Sequence, residues 1–422
     1  MKIFGKEIRA RKRSAPDIET IEVNSKHFTL RVVIFVVLLA FGVSALIYGL
    51  SGLFSGQSGW QTIAAESSDN TDCSSDFSLI YEIGVGKVSA KTEYNSISKL
   101  YESAASEAYK LFHESQLFDD IHNVAYINAH PNEMIEVDEV LYDAFQKLDL
   151  SGKRQLFLAP IYEYYEVLFS CTEEWDARDY DPFENEGLSA LFSEISGYIN
   201  DPDAVSLELS DGNHVCLRVS DEYLRFAEEK DIFTFCGFNF MKNAFIIDYL
   251  ADVLEQNGYT RGSISSYDGF CRNLDSREIN YAFNIFDRVG NNILQAGTMN
   301  YTGRRSIVSL RTFPVSDSDD ECYYVTSEGE TRFPYIDMRD GLCRASVNDL
   351  ACYSDDAGCA DILLEMLPVY IADTFDPASL LSADGIEFIF CRDGVIWHSE
   401  ESLKLSNVIG ADVGGYDVKL YS

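Results

Sequence analysis

The chain has 422 residues, 46% hydrophobic and 13% aromatic, enough to bury a large core and to leave room for two or three domains, or for one elaborate domain with an anchor. Its formal net charge is −36, which argues against a nucleic-acid or anionic-membrane binding surface, because phosphate recognition needs dense Lys and Arg. The charge is uneven: residues 1–31 carry eight Lys/Arg against four Asp/Glu, a net of +4, which leaves −40 on the remainder.

From Val32 to Leu50 the chain reads VVIFVVLLAFGVSALIYGL, and no charged residue follows until Glu66. An apolar helix of that length can cross a hydrocarbon core. The basic cluster KEIRARKR (Lys6 to Arg13), with Lys26 and Arg31, lies on its N-terminal side, so the positive-inside rule puts the N-terminus in the cytoplasm. The competing reading is a cleaved signal peptide, since TIAAESS (Thr62 to Ser68) offers small residues to a peptidase. The apolar run exceeds an ordinary signal core, which favours a retained anchor. The expected organisation is a cytoplasmic basic tail (1–31), a transmembrane anchor (32–54), a flexible Ser/Gly/Thr-rich stalk (55–76) and one extracytoplasmic domain (77–422).

Beyond the stalk, Ser96 to His113 and Val137 to Leu148 carry apolar residues at helical spacing. VSLELSDGNHVCLRV (Val205 to Val219) reads as a hairpin, two alternating runs joined at Asp211-Gly212. Ser220 or Asp221 can cap a short helix running to Lys230. Met241 to Asn257 reads as an amphipathic helix that stops at Gly258, where a left-handed cap is favoured. Strands follow at NYAFNIF, SIVSLRTF and CYYVT, and a second hairpin, IEFIFCRDGVIWHS, turns at Asp393-Gly394. Hairpins mixed with long helices predict an α+β domain of antiparallel sheets with packed helices, preceded by the single transmembrane helix.

All ten cysteines, Cys73 to Cys391, follow the anchor. An even count there permits disulfides, but the spacing is dispersed and no CxxC pair occurs, so a zinc framework is unsupported. Cys343, Cys352 and Cys359 are near enough for local pairing, while several others read equally well as buried thiols. The six histidines are scattered with no HExxH, and no GxSxG, Walker loop or GxGxxG is present.

The order of elements resembles the FAD:protein FMN transferase family. Ile127-Asn128 and the helix EMIEVDEVLYDAFQKL come first, then the 205–219 hairpin, then FCGFNFMKNAFIID (Phe235 to Asp248) in place of the family's glycine-lysine turn and Asp-terminated helix. PYIDMRDG (Pro334 to Gly341) is similar to the family's HIIDPRTG, and ADILLEML (Ala360 to Leu367) to its ADALATAL. The ordered set spans roughly residues 77–421.

The resemblance implies FAD as substrate, with Lys242, Asp268 (from SISSYDG, in place of the family's nlGGD) and Asp337 on the cofactor. It implies Mg²⁺ held by Asp361, with Glu365 replacing the family's threonine; four residues apart on a helix, those two acids share one face. The implied reaction is Mg²⁺-dependent transfer of FMN to a Ser/Thr of an extracytoplasmic target protein, by a membrane-anchored enzyme. Several positions depart from the pattern. Only Gly237 survives of the glycines, Lys242 is one position off register from Asp248, and Pro334 stands where the family has histidine, leaving no assigned base. These departures carry the alternative reading, an inactive relative that binds a nucleotide or a protein partner.

Overall fold

The computed structural model describes residues 58–65, 73–171, 174–316, 322–382, 385–410 and 415–421. The basic tail and the expected anchor at Val32–Leu50 lie outside the described residues, and no described helix is long and apolar enough to cross a membrane. Gln57–Ser422 forms one compact unit.

Nine strands run in chain order from one edge of a large sheet to the other: β1 (Gly59–Ile63), β2 (Phe77–Ile83), β3 (Gly262–Ser266), β4 (Phe270–Asn273), β5 (Arg305–Arg311), β6 (Asp349–Ser354), β7 (Glu387–Arg392), β8 (Val395–His398) and β9 (Asp417–Leu420). Each neighbouring pair is antiparallel except β8 and β9, which are parallel. The central strands are apolar on both faces. Leu350 and Cys352 on β6, with Phe388 and Phe390 on β7, point into the larger core, while Ala351, Tyr353 and Ile389 point into a second core on the opposite face. A two-residue side-chain period serves two layers at once, which is why β6 is buried throughout.

The helices are α1 (Ala90–Phe112), α2 (Val124–Ala129), α3 (Glu139–Ser151), α4 (Ala159–Ser170), α5 (Glu174–Tyr180), α6 (Glu186–Asn200), α7 (Asp221–Lys230), α8 (Lys242–Gln256) and α9 (Cys359–Tyr370), and α1, α8 and α9 pack directly on the first face of the sheet. The long hairpin Asn280–Val289/Asn292–Thr302, joined by Lys404–Ser406, covers the other face with Ile285, Ala296 and Met299. The α+β architecture and both Asp-Gly hairpins match the sequence reading: Val205–Ser210 pairs antiparallel with His214–Val219, and β7 with β8. Gly212 (φ +77°) and Gly394 (φ +72°) take the positive φ those turns require.

Local signals act as expected at the helix ends. The Ser220 hydroxyl accepts the Tyr223 N–H at the start of α7, and Gly258 (φ +81°) follows α8. The first helix begins earlier than expected, at Ala90, because the Ser89 hydroxyl caps it through the Thr92 N–H. Part of the expected stalk is corrected: Gly59–Ile63 is the edge strand β1, paired with β2 over its full length, and Ser98 Oγ donates to Ala64 O just beyond it. Its GWQTI pattern alternates in burial, and that periodicity outweighs the small-residue composition that suggested a linker. Cys343, Cys352 and Cys359 are unbridged thiols.

Candidate functional site

A cleft of about 610 Å³ opens at the N-terminus of α8, between α4, the β3–β4 turn and the segment Cys322–Tyr335. One wall is aromatic. Phe240 meets Tyr335 edge-to-face at 5.5 Å between ring centroids, and Tyr162 of α4 lies 6.3 Å from Phe240. The Tyr162 hydroxyl donates to the Pro334 carbonyl, joining α4 to the 334–341 turn.

The polar floor comes from the turn that leads into α8. Glu114, just past α1, sends its carboxylate to this turn and accepts the N–H groups of Phe238 (2.7 Å) and Asn239 (3.0 Å). Gly237 makes the approach possible, because a Cβ there would lie 2.6 Å from Glu114 Oε2. Asn239 takes a left-handed backbone (φ +47°), a conformation Asn tolerates better than most residues. Across the cleft, Gly269 (φ +107°) turns β3 into β4 against the Ser309 carbonyl, 2.1 Å from where a Cβ would stand, and this turn presents Asp268. Asn243 Nδ2 donates to Asp268 Oδ2 at 3.0 Å.

Burial pushes the Glu114 carboxyl up, against the opposing pull of Lys242 and the two amides. Glu166 stands on the α4 wall, open to solvent within the cleft yet flanked by protein. Burial and then Glu114 push it up to about 7, against Lys242. Burial pushes Asp268 up to about 6, against Ser266 and Asn243. Lys242 lines the cleft and makes no hydrogen bond or ion pair with the described residues.

Two of the residues implied by the resemblance, Lys242 and Asp268, therefore meet in the cleft. Asp337 does not line it. Its carboxylate accepts the Arg339 N–H (2.9 Å) and pairs with Arg339 Nη2 (2.6 Å) and Arg344 Nε (2.8 Å). Burial raises this carboxyl, but the arginines outweigh it and hold it below the ordinary Asp value. Asp337 thus anchors the turn whose neighbours Pro334 and Tyr335 line the cleft.

Asp361 and Glu365 do share a face of α9, as their spacing predicts, but that face looks outward. Lys147 Nζ holds both Asp361 oxygens at 2.7 and 2.8 Å, and Glu365 is exposed. Among the described residues, no group of three or more His, Cys, Asp or Glu could hold a metal. The ligand pair implied for Mg²⁺ therefore does not fit: one acid is occupied by an ammonium and the other has no partner ligand.

Sequence reasoning missed Glu114, Glu166, Asn239 and Asn243. One signal was available, because Asn243, and not Lys242, stands five residues before Asp248, the register of the family's lysine. Asp248 itself is structural. Its carboxylate accepts the Cys359 and Ala360 N–H groups (2.8 and 2.9 Å) at the start of α9 and pairs with Arg272 at 2.7 Å.

No protein-family model and no curated protein matches this sequence. Solved structures do match. The ApbE protein from Thermotoga maritima aligns at 12% identity with a TM-score of 0.52, over 78% of this chain and 94% of that one. The flavin transferase ApbE from Vibrio cholerae aligns at 13% identity, TM-score 0.45, over 78% and 92%, and the flavinyl transferase ApbE from Pseudomonas stutzeri at 11%, TM-score 0.42, over 84% and 95%. Identities this low speak to architecture and not to chemistry. On the first of these alignments, this chain carries a divergent form of the ApbE fold.

Proposed function

We propose that the protein is a membrane-anchored, extracytoplasmic relative of the flavin transferases that binds a flavin nucleotide in the cleft at the start of α8 and transfers FMN weakly or not at all. The observation that carries the reading is the composition of that cleft: aromatic walls suited to a planar ring, with the unpaired Lys242 ammonium available to a phosphate. Mixed apolar walls with a few convergent polar groups suit a nucleotide better than a peptide or a sugar.

Three features support weak transfer. A target Ser/Thr hydroxyl attacking FMN phosphorus and expelling AMP needs the pyrophosphate held and the hydroxyl proton managed. The backbone N–H groups of Phe238 and Asn239, of the kind that bind phosphate where a helix begins, are already bonded to Glu114. Pro334 supplies only its carbonyl, and that carbonyl accepts from Tyr162. The acids implied for Mg²⁺ do not assemble, so no step is routed through a metal there. Of the two cleft carboxyls pushed up by burial, Glu166 at about 7 lies nearer neutrality than Asp268 at about 6, and it is the residue to examine as a proton acceptor if transfer occurs.

The test is titration of the full chain in detergent with FAD and FMN, followed by flavin fluorescence, together with a flavinylation assay on a Ser/Thr-Gly-Ala-Thr target. Saturable quenching with little covalent flavin on the target is expected. Absence of quenching by either flavin sinks the binding claim, and rapid stoichiometric labelling sinks the claim of weak transfer.

A further inference from the structure

Glu114 stands at the head of α8, a place where helices commonly receive phosphate. The single turn Asn239–Met241 runs directly into α8 and uses the next backbone donors itself: the Met241 N–H reaches Phe238 O and the Lys242 N–H reaches Asn239 O. The donors ahead of these belong to Phe238 and Asn239. Both go to one atom, Glu114 Oε1, at 2.7 and 3.0 Å.

The carboxylate is held there by its own segment. Asn123, 0% exposed, donates from Nδ2 to Lys110 O (3.0 Å) and to Gln116 O (2.8 Å), bracing the chain on both sides of Glu114. The Ala125 N–H also donates to His113 O at 3.0 Å. A side chain anchored in this way does not need to move to meet the two amides, so it competes with an incoming anion at little entropic cost.

The charges of the cleft point the same way. Among the described residues that line it, Lys242 is the one cation, and Glu166 and Asp268 are carboxyls. One ammonium can balance one phosphate group, whereas a second phosphate would need donors of its own. Those at the helix head are taken by Glu114. The acids implied for a bridging metal face outward, with both Asp361 oxygens held by Lys147. A second phosphate would therefore meet carboxyls instead of donors, and like charges repel more strongly between protein walls than in water.

Resting on the flavin reading above, we propose that the cleft selects a flavin with a single phosphate over one with a diphosphate, and that Glu114 is the specificity-determining residue. Lys242 takes the one phosphate, and the wall of Tyr162, Phe240 and Tyr335 takes the ring system. Glu114 occupies the donors that a second phosphate would use. Weak transfer follows, because FAD is the form that must bind before FMN can leave it.

The experiment titrates the full chain in detergent with riboflavin, FMN and FAD, followed by calorimetry. FMN should bind about tenfold or more tighter than FAD, the scale of one charged hydrogen bond, and also tighter than riboflavin. Lys242→Gln should remove the advantage of FMN over riboflavin. Glu114→Gln keeps a carbonyl acceptor for the two amides and removes the charge, so it should narrow the preference for FMN over FAD by about threefold or more. A loss of fold alone would lower all three affinities together and leave their ratios. If Glu114→Gln does not fold, the wild-type ratio and Lys242→Gln still decide. Wild-type binding of FAD as tight as that of FMN overturns the proposal and leaves the flavin reading standing. An unchanged preference in Glu114→Gln overturns the assignment to Glu114, and failure of all three flavins to bind overturns both readings.

Discussion

The carboxylate of Glu114 stands 2.6 Å from where a Cβ on Gly237 would lie, and it holds the N–H groups of Phe238 and Asn239. Gly237 thus makes room for an internal carboxylate. Gly237→Ala should push Glu114 off both amides and cost about 1–3 kcal/mol, the range for leaving such buried groups unmet. Denaturant midpoints check this, and an unchanged midpoint would show that the contact is dispensable.

Asp248 joins two helices and an arginine. Asp248→Ala removes the acceptor for the Cys359 and Ala360 amides and leaves the largely buried Arg272 without its closest partner. A loss of about 3–5 kcal/mol is expected for breaking one side of a buried pair. Gly358→Ala should also destabilise, because its Cβ would sit 2.5 Å from Asp248 Oδ2. Chemical denaturation of both variants against wild type decides.

The Lys147–Asp361 pair is half-exposed, with side chains 41% and 45% accessible. Pairs of that kind contribute about 0–1 kcal/mol. Asp361→Ala should therefore leave stability nearly unchanged and leave flavin binding intact. Loss of flavin binding in that variant would return Asp361 to the site.

Asp349, 4% exposed at the start of β6, accepts from Ser309 Oγ at 3.1 Å. Burial pushes its carboxyl from the usual 3.8 up to about 7, against Arg311 and Ser309. A raised native value means the folded chain holds this proton more tightly than the unfolded chain does. Its stabilising contribution is full below the usual Asp value and is lost as pH rises through about 7. Asp349→Asn stays uncharged, so wild type should lose stability relative to this variant across that window and run parallel to it above. A constant difference from acid to alkaline pH would refute the assignment.

For topology, protease treatment of intact cells should remove the 77–422 domain and leave the N-terminal segment protected. A domain that stays intact under conditions that digest other surface proteins would place it on the other side of the membrane.

Local chemistry was readable directly. Asp-Gly between alternating runs makes a hairpin wherever it occurs, Ser220 caps the residue three positions on, and Gly258 stops a helix, because each of these interactions spans only a few residues. The strands at SIVSLRTF and IEFIF were also legible, but the sequence did not mark Asp349–Ser354 between them, nor that both faces of these strands would be covered. The interval from Leu156 to Asn200 went unassigned; α4 and α6 there bury Tyr165 and Phe192 against partners that local periodicity does not identify. The site was the least legible part. Glu114 meets Phe238 across 124 residues, Tyr162 meets Pro334 across 172, and Asp248 meets Cys359 across 111. The resemblance singled out Lys242 and Asp268, which line the cleft, but could not show that Arg339 and Arg344 would hold Asp337 or that Lys147 would occupy Asp361. The partner of a charged side chain depends on which other groups the packed core brings within about 3 Å of it, and that is decided by tertiary structure alone.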